Sequence, residues 1–576
     1  MHDCKKPFNP KRLLAVMACF VFWCFVISGR LLQFQVIQHA KISDYAERTY
    51  FDDEPILTPR GTIYDSQMTE LAASVTFSTM VADRRYVHNI NAAVKKLAPL
   101  LEVDPKVLMG KMTDPGHKNR LILKSGIDPI VAMHIKSLKM SGFSLEDEHR
   151  RIYPQGNLAS HTLGFVNRAG NGVAGLEQRY NEELKGKPGK VIREVDALGC
   201  SYREKMAISP IPARSLVLSI DRYIQHFAQT ELAEGVRHSG AAAGTAVVME
   251  SETGRILALA NVPDFDCNRY GEYSRELWRN RAVQDQFEPG STLKVVTACA
   301  ALDEGLVGPD EIIDCQKGSI IVGGHRFHDH KPFGLLTFQE ILEKSSNIGA
   351  IKLALRVGTD GLYRALRSFG FGSRTGIDLP AETAGLLREK ENWSGLSIAS
   401  ISFGQEIAVN SIQILVAINA VANGGYRVRP SIVDRVINDR SETIRSRITE
   451  CVRIMRPETA VAVRNAFEGV ILRGTGQLAS LKGYRAAGKT GTAQKAGTGG
   501  FAKNRYVASF VGFAPLPKPR VTILVQIDEP RGAIHGGEVA APIFRKITQQ
   551  TLLRLQVPQD WNLVMPKTRS APKHPV

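Results

Sequence analysis

From Leu13 to Gly29 the chain carries no charged side chain, and Leu31 and Leu32 prolong the apolar run past Arg30. That length lies at the short end of the roughly 17–25 residues that carry a helix across a bilayer, and Arg30 can snorkel. The apolar core is longer than the usual signal-peptide core and no small-x-small site closes it, so residues 13–32 are expected to be an uncleaved transmembrane signal anchor. Lys5, Lys6, Lys11 and Arg12 face a single acid, Asp3, in residues 1–12. That basic tail is expected to stay in the cytoplasm and to leave the rest of the chain outside.

Beyond the anchor the pattern changes twice. Residues 40–205 are charged and turn-rich, with weak helical signals, and predict an extended pedestal of short strands. Within it Asn91–Ala98 reads as a short amphipathic helix that Pro99 would end, Gly175–Tyr180 opens another short helix, and Gly186–Lys190 marks a turn. A proline-containing linker, Ile208–Arg214, precedes a second domain expected over 213–557. There Ser215–Ile220 reads as a strand, and Asp221 caps a helix that puts Ile224, Phe227, Ala228 and Leu232 on one face. Two apolar strands, Gly244–Glu250 and Arg255–Ala260, flank the hairpin signal Ser251-Glu252-Thr253-Gly254. A second pair, Tyr506–Ala514 and Arg520–Ile527, brackets a proline-rich turn, and a helix with Ala540, Ile543, Phe544 and Ile547 on one face follows. Strands at both ends of a helical middle predict an α+β domain, an antiparallel sheet packed between helices. Residues 558–576 hold four prolines and few apolar groups, and are expected to be a mobile tail.

Composition adds little. At 576 residues two or three domains are expected, and a net charge of +17 suits any polyanion without naming one. There is no nucleic-acid motif, and eight cysteines without Cys-x-x-Cys pairs argue against a metal site or a disulfide framework. Cys299, inside an apolar run, is expected to pack as a small hydrophobe.

Three short elements carry chemistry. Pro289-Gly290 turns the chain so that Ser291 lands at or near a helix N-terminus, with Lys294 one turn on along the same face. A hydroxyl beside an amine in a dry setting is one way to make serine nucleophilic. Ser345-Ser346-Asn347, a polar step between helical stretches, can aim a hydroxyl and a carboxamide into a cleft. Lys489-Thr490-Gly491-Thr492, on a strand, can recognise a carboxylate and accept a peptide alongside as an added strand. Alone, each of these is as readily a cap or a solvated turn.

In the order Ser-x-x-Lys, Ser-x-Asn, Lys-Thr-Gly the set resembles the penicillin-recognising serine enzymes. Phe287–Thr292, Ser345–Gly349, Lys489–Ala493, Gly376–Pro380 and His535-Gly536-Gly537 followed by Ala540–Phe544 look like the division-type class B penicillin-binding proteins, the FtsI group. Arg60-Gly61-x-Ile63-x-Asp65 and Gly175-Leu176-Glu177 resemble that group's non-catalytic pedestal. Elongation-type relatives usually carry Ser-Cys-Asp at the middle motif, no glycan-polymerising domain precedes the pedestal, and no repeat domain follows the catalytic one. The chain departs from the group at Ser66-Gln67-Met68, where Arg-Asn-Gly is usual, and at Asn410-Ser411-Ile412-Gln413, where Thr-Pro-Leu-Gln is usual.

The resemblance implies a serine D,D-transpeptidase that cross-links peptidoglycan stem peptides in septal wall synthesis, needs no cofactor and is a β-lactam target. It implies that Lys294 deprotonates Ser291, that the Ser291 and Thr492 backbone N–H groups hold the oxyanion, and that Ser345 relays a proton to the leaving amine. Asn347 would orient the substrate amide, Lys489 would add positive charge, and Thr490, Gly491 and Thr492 would form the strand edge that binds substrate. Implied partners are stem peptides on lipid-linked precursor strands, an FtsW-type glycan polymerase and other division-site membrane proteins in the bacterial inner membrane; nucleic acid is not among them. Elongation-type or sporulation-type relatives are the competing reading, with a β-lactamase or a membrane β-lactam sensor behind them. His325, His328 and His330 invite a metal, but with Asp329 and the Lys331–Gly334 turn they read as a loop before Ser345. Glu389 and Glu391 read as a solvated loop rather than a deacylating base.

Overall fold

A computed structural model describes residues 10–56, 58–114, 120–195, 201–497, 500–560 and 563. Most of the basic N-terminal tail and most of the expected mobile tail after residue 558 lie outside the described residues. The chain divides into two compact units that do not follow chain order: Met1–Thr58 with Gly186–Pro212, and Pro59–Lys185 with Ala213–Val576.

In the first unit α1 (Pro10–Leu32) runs on through a π-helical turn, Gln33–Ile37, into the helix His39–Tyr50. The apolar span Pro10–Ile37 is long enough to cross a bilayer, and none of it is buried in protein. Three antiparallel strands complete the unit, with Gly189–Val195 paired between Phe51–Ile56 and Ser201–Ile208.

In the second unit the pedestal is a sheet built around the long strand Glu70–Asp83, which pairs with Arg120–Ile127 and Phe143–Ile152. The same strand pairs with Ile63–Tyr64, which lies parallel to Ser215–Leu218, and the sheet continues through Val433–Ile437 and Thr443–Ser446. Its buried polar anchor is Glu177: Arg60 Nε lies 2.5 Å and Arg151 Nε 2.7 Å from its two oxygens. The two pedestal motifs legible in the sequence thus meet in one ion cluster. Asp65, in the same motif, closes the Ser66-Gln67-Met68 turn by accepting from the Gln67 and Thr69 amides at 2.8 Å.

The pedestal holds more helix than its sequence predicts. The helix Ile90–Leu101 runs through Pro99 instead of ending before it. Leu97, Ala98 and Leu101 are buried there, and their packing outweighs the hydrogen bond that proline removes in the last turn. Two further helices, Pro105–Thr113 and Pro129–Ser137, open with Asp-Pro, the aspartate side chain capping and the proline at the first position. They are too short for a periodic signal.

The catalytic part is an antiparallel sheet of β1 (Ala243–Glu250), β2 (Ile256–Val262), β3 (Ala487–Gly497), β4 (Gly500–Ala514) and β5 (Val521–Asp528), ordered β2-β1-β5-β4-β3. β3 therefore lies at an edge. The helices are α2 (Arg222–His238), α3 (Lys294–Asp303), α4 (Asn347–Phe369), α5 (Ser411–Ala422), α6 (Pro457–Leu472) and α7 (Ala541–Arg554). Strand alternation divides the core: Val248, Phe510 and Val525 pack with Ile224 and Leu232 of α2 and Phe544 of α7. Val247, Val511 and Leu524 belong instead to the core that holds Val296 of α3, Ile414 of α5 and Phe467 of α6. The sheet lies between helices, as its sequence pattern predicts. Asn410 and Gln413 form a reciprocal capping box at the start of α5.

Candidate active site

The lead-in to α3 is bent by two glycines. Gly290 has φ +54° and its amide donates to the Gly404 carbonyl at 3.1 Å. Gly404 has φ +89°, and a Cβ there would lie 2.1 Å from the Gly290 carbonyl oxygen. Only glycine allows that approach. Ser291 sits, half-buried, in a single 3₁₀ turn, Gly290–Thr292, and α-helix begins at Lys294. Among the described residues its hydroxyl has no hydrogen-bond partner, so it is free to turn toward an incoming carbonyl.

Lys294 is 1 % exposed. Its amine donates to the Ser345 carbonyl at 2.6 Å, to Asn347 Oδ1 at 2.8 Å and to Ser345 Oγ at 3.3 Å. Lys489, fully buried on β3, donates to Ser345 Oγ from the other side at 2.9 Å. Lys294, Asn347 and Lys489, drawn from three distant motifs, thus gather around Ser345. Burial, then the charge of Lys489, push the Lys294 amine well below its ordinary value, while Asp329 opposes the shift. Burial brings Lys489 down to about 7. Two ammonium groups this close and dry cannot both persist, so a neutral amine is available near neutral pH.

Ser345 holds φ +57°, a left-handed conformation that costs a side-chain-bearing residue about 1–2 kcal/mol. The strain is held by Asp329, whose Oδ2 accepts from Ser346 Oγ at 2.7 Å and whose Oδ1 accepts from the Asn347 amide and, at 3.2 Å, from the Ile348 amide. Asn347 Nδ2 donates in turn to the His328 carbonyl at 3.0 Å. The sequence left Asp329 in a loop, because no local spacing rule joins groups 17 to 19 residues apart. The segment is more ordered than expected: His325–His328 is a strand paired with Ser319–Val322. Among the described residues no cluster has the composition of a metal site. Glu389 and Glu391 are exposed, and Glu389 accepts from the Tyr363 hydroxyl.

Edge strand β3 lies against the Ser291 turn through a glycine: a Cβ on Gly491 would come within 2.4 Å of Ser509 Oγ and 2.9 Å of Thr292 Cγ2. Thr492 Oγ1 accepts from the Gly536 amide at 3.2 Å, which ties His535-Gly536-Gly537 to the strand. Thr490 Oγ1 lies 2.7 Å from the hydroxyl of Thr475, a member of this edge that the sequence did not single out. Thr475 follows a glycine in an ordinary turn signal, and its meeting with Thr490 depends on how α6 packs. Cys299 is buried, as expected, and the six described cysteines are unpaired.

A seryl hydroxyl, a buried amine of lowered pKa, a hydroxyl shared by two amines and an edge strand are the parts of an acyl-transfer site. The penicillin-binding protein transpeptidase domain matches residues 244–549, and the penicillin-binding protein dimerisation domain matches residues 55–218. The chain belongs to the penicillin-binding proteins of class B and is a transpeptidase of that type. It is 34 % identical over 557 residues to the "Probable peptidoglycan D,D-transpeptidase PenA" of Neisseria gonorrhoeae, covering 94 % of this chain and 93 % of that one. It is 31 % identical over 556 residues to the "Peptidoglycan D,D-transpeptidase FtsI" of Escherichia coli K12, covering 95 % and 92 %. Penicillin-binding protein 3 of Mycobacterium tuberculosis, solved in complex with aztreonam, superposes with a TM-score of 0.70 at 30 % identity, covering 89 % and 100 %.

Proposed function

We propose that this chain is the serine D,D-transpeptidase that cross-links stem peptides of septal peptidoglycan, through an acyl-enzyme on Ser291. The observation that carries the reading is the convergence of two buried lysine amines on Ser345. Lys294, neutral, takes the Ser291 proton as Oγ attacks the carbonyl of the penultimate D-alanine. The Ser291 and Thr492 amides stabilise the oxyanion; loss of one such donor costs roughly 10²–10³ in rate. Ser345 passes a proton to the departing D-alanine amine, and Asn347 orients the substrate amide. The protonated Lys489 and the hydroxyls of Thr490, Thr492 and Thr475 hold the terminal carboxylate, with the peptide lying along β3 beside Gly491.

The pedestal, 40–205, and the catalytic domain, 213–557, lie outside the membrane, with the N-terminus cytoplasmic and the anchor beside an FtsW-type polymerase. The basic flank of α1 supports that topology. The septal role is supported by Ser345-Ser346-Asn347 and Glu288-Pro289, which resemble the division branch. Two measurements test the reading. Labelled penicillin on the full-length detergent-solubilised chain is expected to modify Ser291 and to leave Ser291→Ala unlabelled; an adduct elsewhere refutes the mechanism. A fluorescent fusion is expected at the division site, and uniform lateral-wall signal refutes the septal assignment.

A further inference from the structure

A cavity of about 620 Å³ opens further along β3, just past the Ser291 turn. Strand alternation places it: Lys489, Gly491 and Ala493 point to one face of the sheet. On that face Lys489 meets Ser345, Gly491 meets the Ser291 turn, and Ala493 lies in the row of Val507 and Asp528, which line the cavity. Phe287 and Glu288, the approach to that turn, line it as well. Its charged lining falls into two parts. Arg279, Asp285, Arg281, Asp528 and Lys495 form a chain of alternating sign. Arg279 Nε lies 2.9 Å from Asp285 Oδ1, and Arg281 Nη1 lies 3.1 Å from Asp285 Oδ2 and 4.0 Å from Asp528 Oδ2. Lys495 Nζ lies 2.6 Å from Asp528 Oδ1. Two guanidinium groups therefore share the Asp285 carboxylate, with N–H donors to spare. Glu288 stands apart. Its Oε1 accepts from the Glu406 amide at 3.0 Å, and among the described residues no cation pairs with it. It is half-buried, and burial is the largest influence raising its pKa; the Glu406 amide opposes the shift and the Glu406 charge adds to it. An ammonium beside Glu288 would offset that cost.

We propose that this cavity is the subsite for the side chain of the stem-peptide residue preceding the penultimate D-alanine, and that it selects a side chain ending in both an ammonium and a carboxylate. Glu288 pairs with the ammonium, and Arg279 and Arg281 take the carboxylate. The assignment rests on the acyl-enzyme reading above, which fixes the direction of the peptide. With the terminal carboxylate at Lys489 and Thr490 and the reacting carbonyl at Ser291, the peptide runs on toward Ala493 and Gln494. At about 3.3 Å per residue of an added strand, the residue before the penultimate one comes level with that end of β3. Ala493, Gln494 and Lys495 line the cavity, and a long side chain pointing to the Lys489 face of the sheet enters it. A neutral side chain there leaves Glu288 without a partner, and one bearing only an ammonium leaves the guanidinium donors unmet. The two charges are therefore read by separate groups.

The test uses the full-length chain in detergent and three acyl donors, N-acetyl-X-D-alanyl thioglycolates in which X is meso-diaminopimelate, lysine or norleucine. Their side chains end in both charges, in the ammonium alone or in neither. Thioglycolate release and acylation of Ser291 give kcat/KM for each donor. A hydrogen bond to a charged group at such a site is expected to contribute about tenfold. The diaminopimelate donor is therefore expected to exceed the lysine donor by about tenfold and the norleucine donor by about 10²-fold. In Glu288→Gln, which keeps an acceptor for the Glu406 amide, the lysine-to-norleucine ratio is expected to fall close to one. In the double variant Arg279→Gln, Arg281→Gln the diaminopimelate-to-lysine ratio is expected to do the same. A loss of fold lowers all three rates alike and leaves the ratios where they were. Three donors within about twofold of one another in the unmodified chain, or ratios that survive these substitutions, overturn the subsite. Reaction of no donor, with no adduct on Ser291, overturns the acyl-enzyme reading instead.

Discussion

Asp329 makes the sharpest case for reading this site through its supports. Its carboxylate takes hydrogen bonds from Ser346 Oγ and the Asn347 and Ile348 amides, pinning the strained Ser345 between two lysines. Asp329→Ala leaves three donors without their charged partner. Hydrogen bonds to a charge are worth about 1.5–3 kcal/mol each when fully buried. This carboxylate is only part-buried and water can replace some of them, so a total near 3 kcal/mol is the working figure. That exceeds the 1–2 kcal/mol stored in the left-handed conformation of Ser345, so the residue is expected to relax and withdraw its hydroxyl from Lys294 and Lys489. At 1.36 kcal/mol per decade, acylation is expected to slow by about 10²-fold. Asp329→Asn separates charge from geometry. It keeps one acceptor for the amides but removes the negative charge that holds the Lys294 pKa up. Acylation needs Lys294 neutral and fails as pH falls through its pKa, so the acid limb is expected to move to lower pH, with a rate loss nearer tenfold. Stopped-flow acylation by a fluorescent penicillin from pH 5 to 9 measures both. Rates within threefold of the unmodified chain and an unmoved acid limb would refute the argument.

Two further outcomes concern stability. Glu177→Gln leaves Arg60 and Arg151, with side chains 7 % and 3 % exposed, facing a neutral amide; breaking such a buried pair costs about 3–5 kcal/mol. Chemical denaturation should report that loss, with the pedestal becoming the first site of proteolysis, and a change under 1 kcal/mol would count against it. Lys489, with a folded pKa of about 7 against an unfolded value near 10.4, binds fewer protons folded than unfolded between those limits. Stability therefore rises with pH through that window, while below pH 7 the full cost of burying the ammonium is present. Lys489→Met is expected to flatten the rise in melting temperature between pH 7 and 10, and an identical slope in both proteins would show that Lys489 is not its source.

Much of this molecule is legible along the chain. The apolar run around α1, the apolar runs of β1, β2, β4 and β5, and the one-sided helices α2 and α7 announce themselves because each depends on neighbours in sequence. Ser291 and Lys294 are one helical turn apart, so their nearness along the chain is local too. Two pedestal helices, Pro105–Thr113 and Pro129–Ser137, escape the pattern for the converse reason: nine residues carry little periodic signal, and the helix expected over Asn91–Ala98 continues through Pro99 because its neighbours bury Leu97 and Leu101.

What tertiary structure alone decided is how the three motifs are held. A sequence can show that Ser345, Lys489 and Lys294 are chemically apt; only packing puts two amines within 3.3 Å of one hydroxyl and dries them enough to move their pKa values. Asp329, Thr475 and Gly404 were beyond reach because each acts through space on a residue far away in the chain. Desolvation and strain belong to the folded environment, and no pattern of neighbouring residues encodes them.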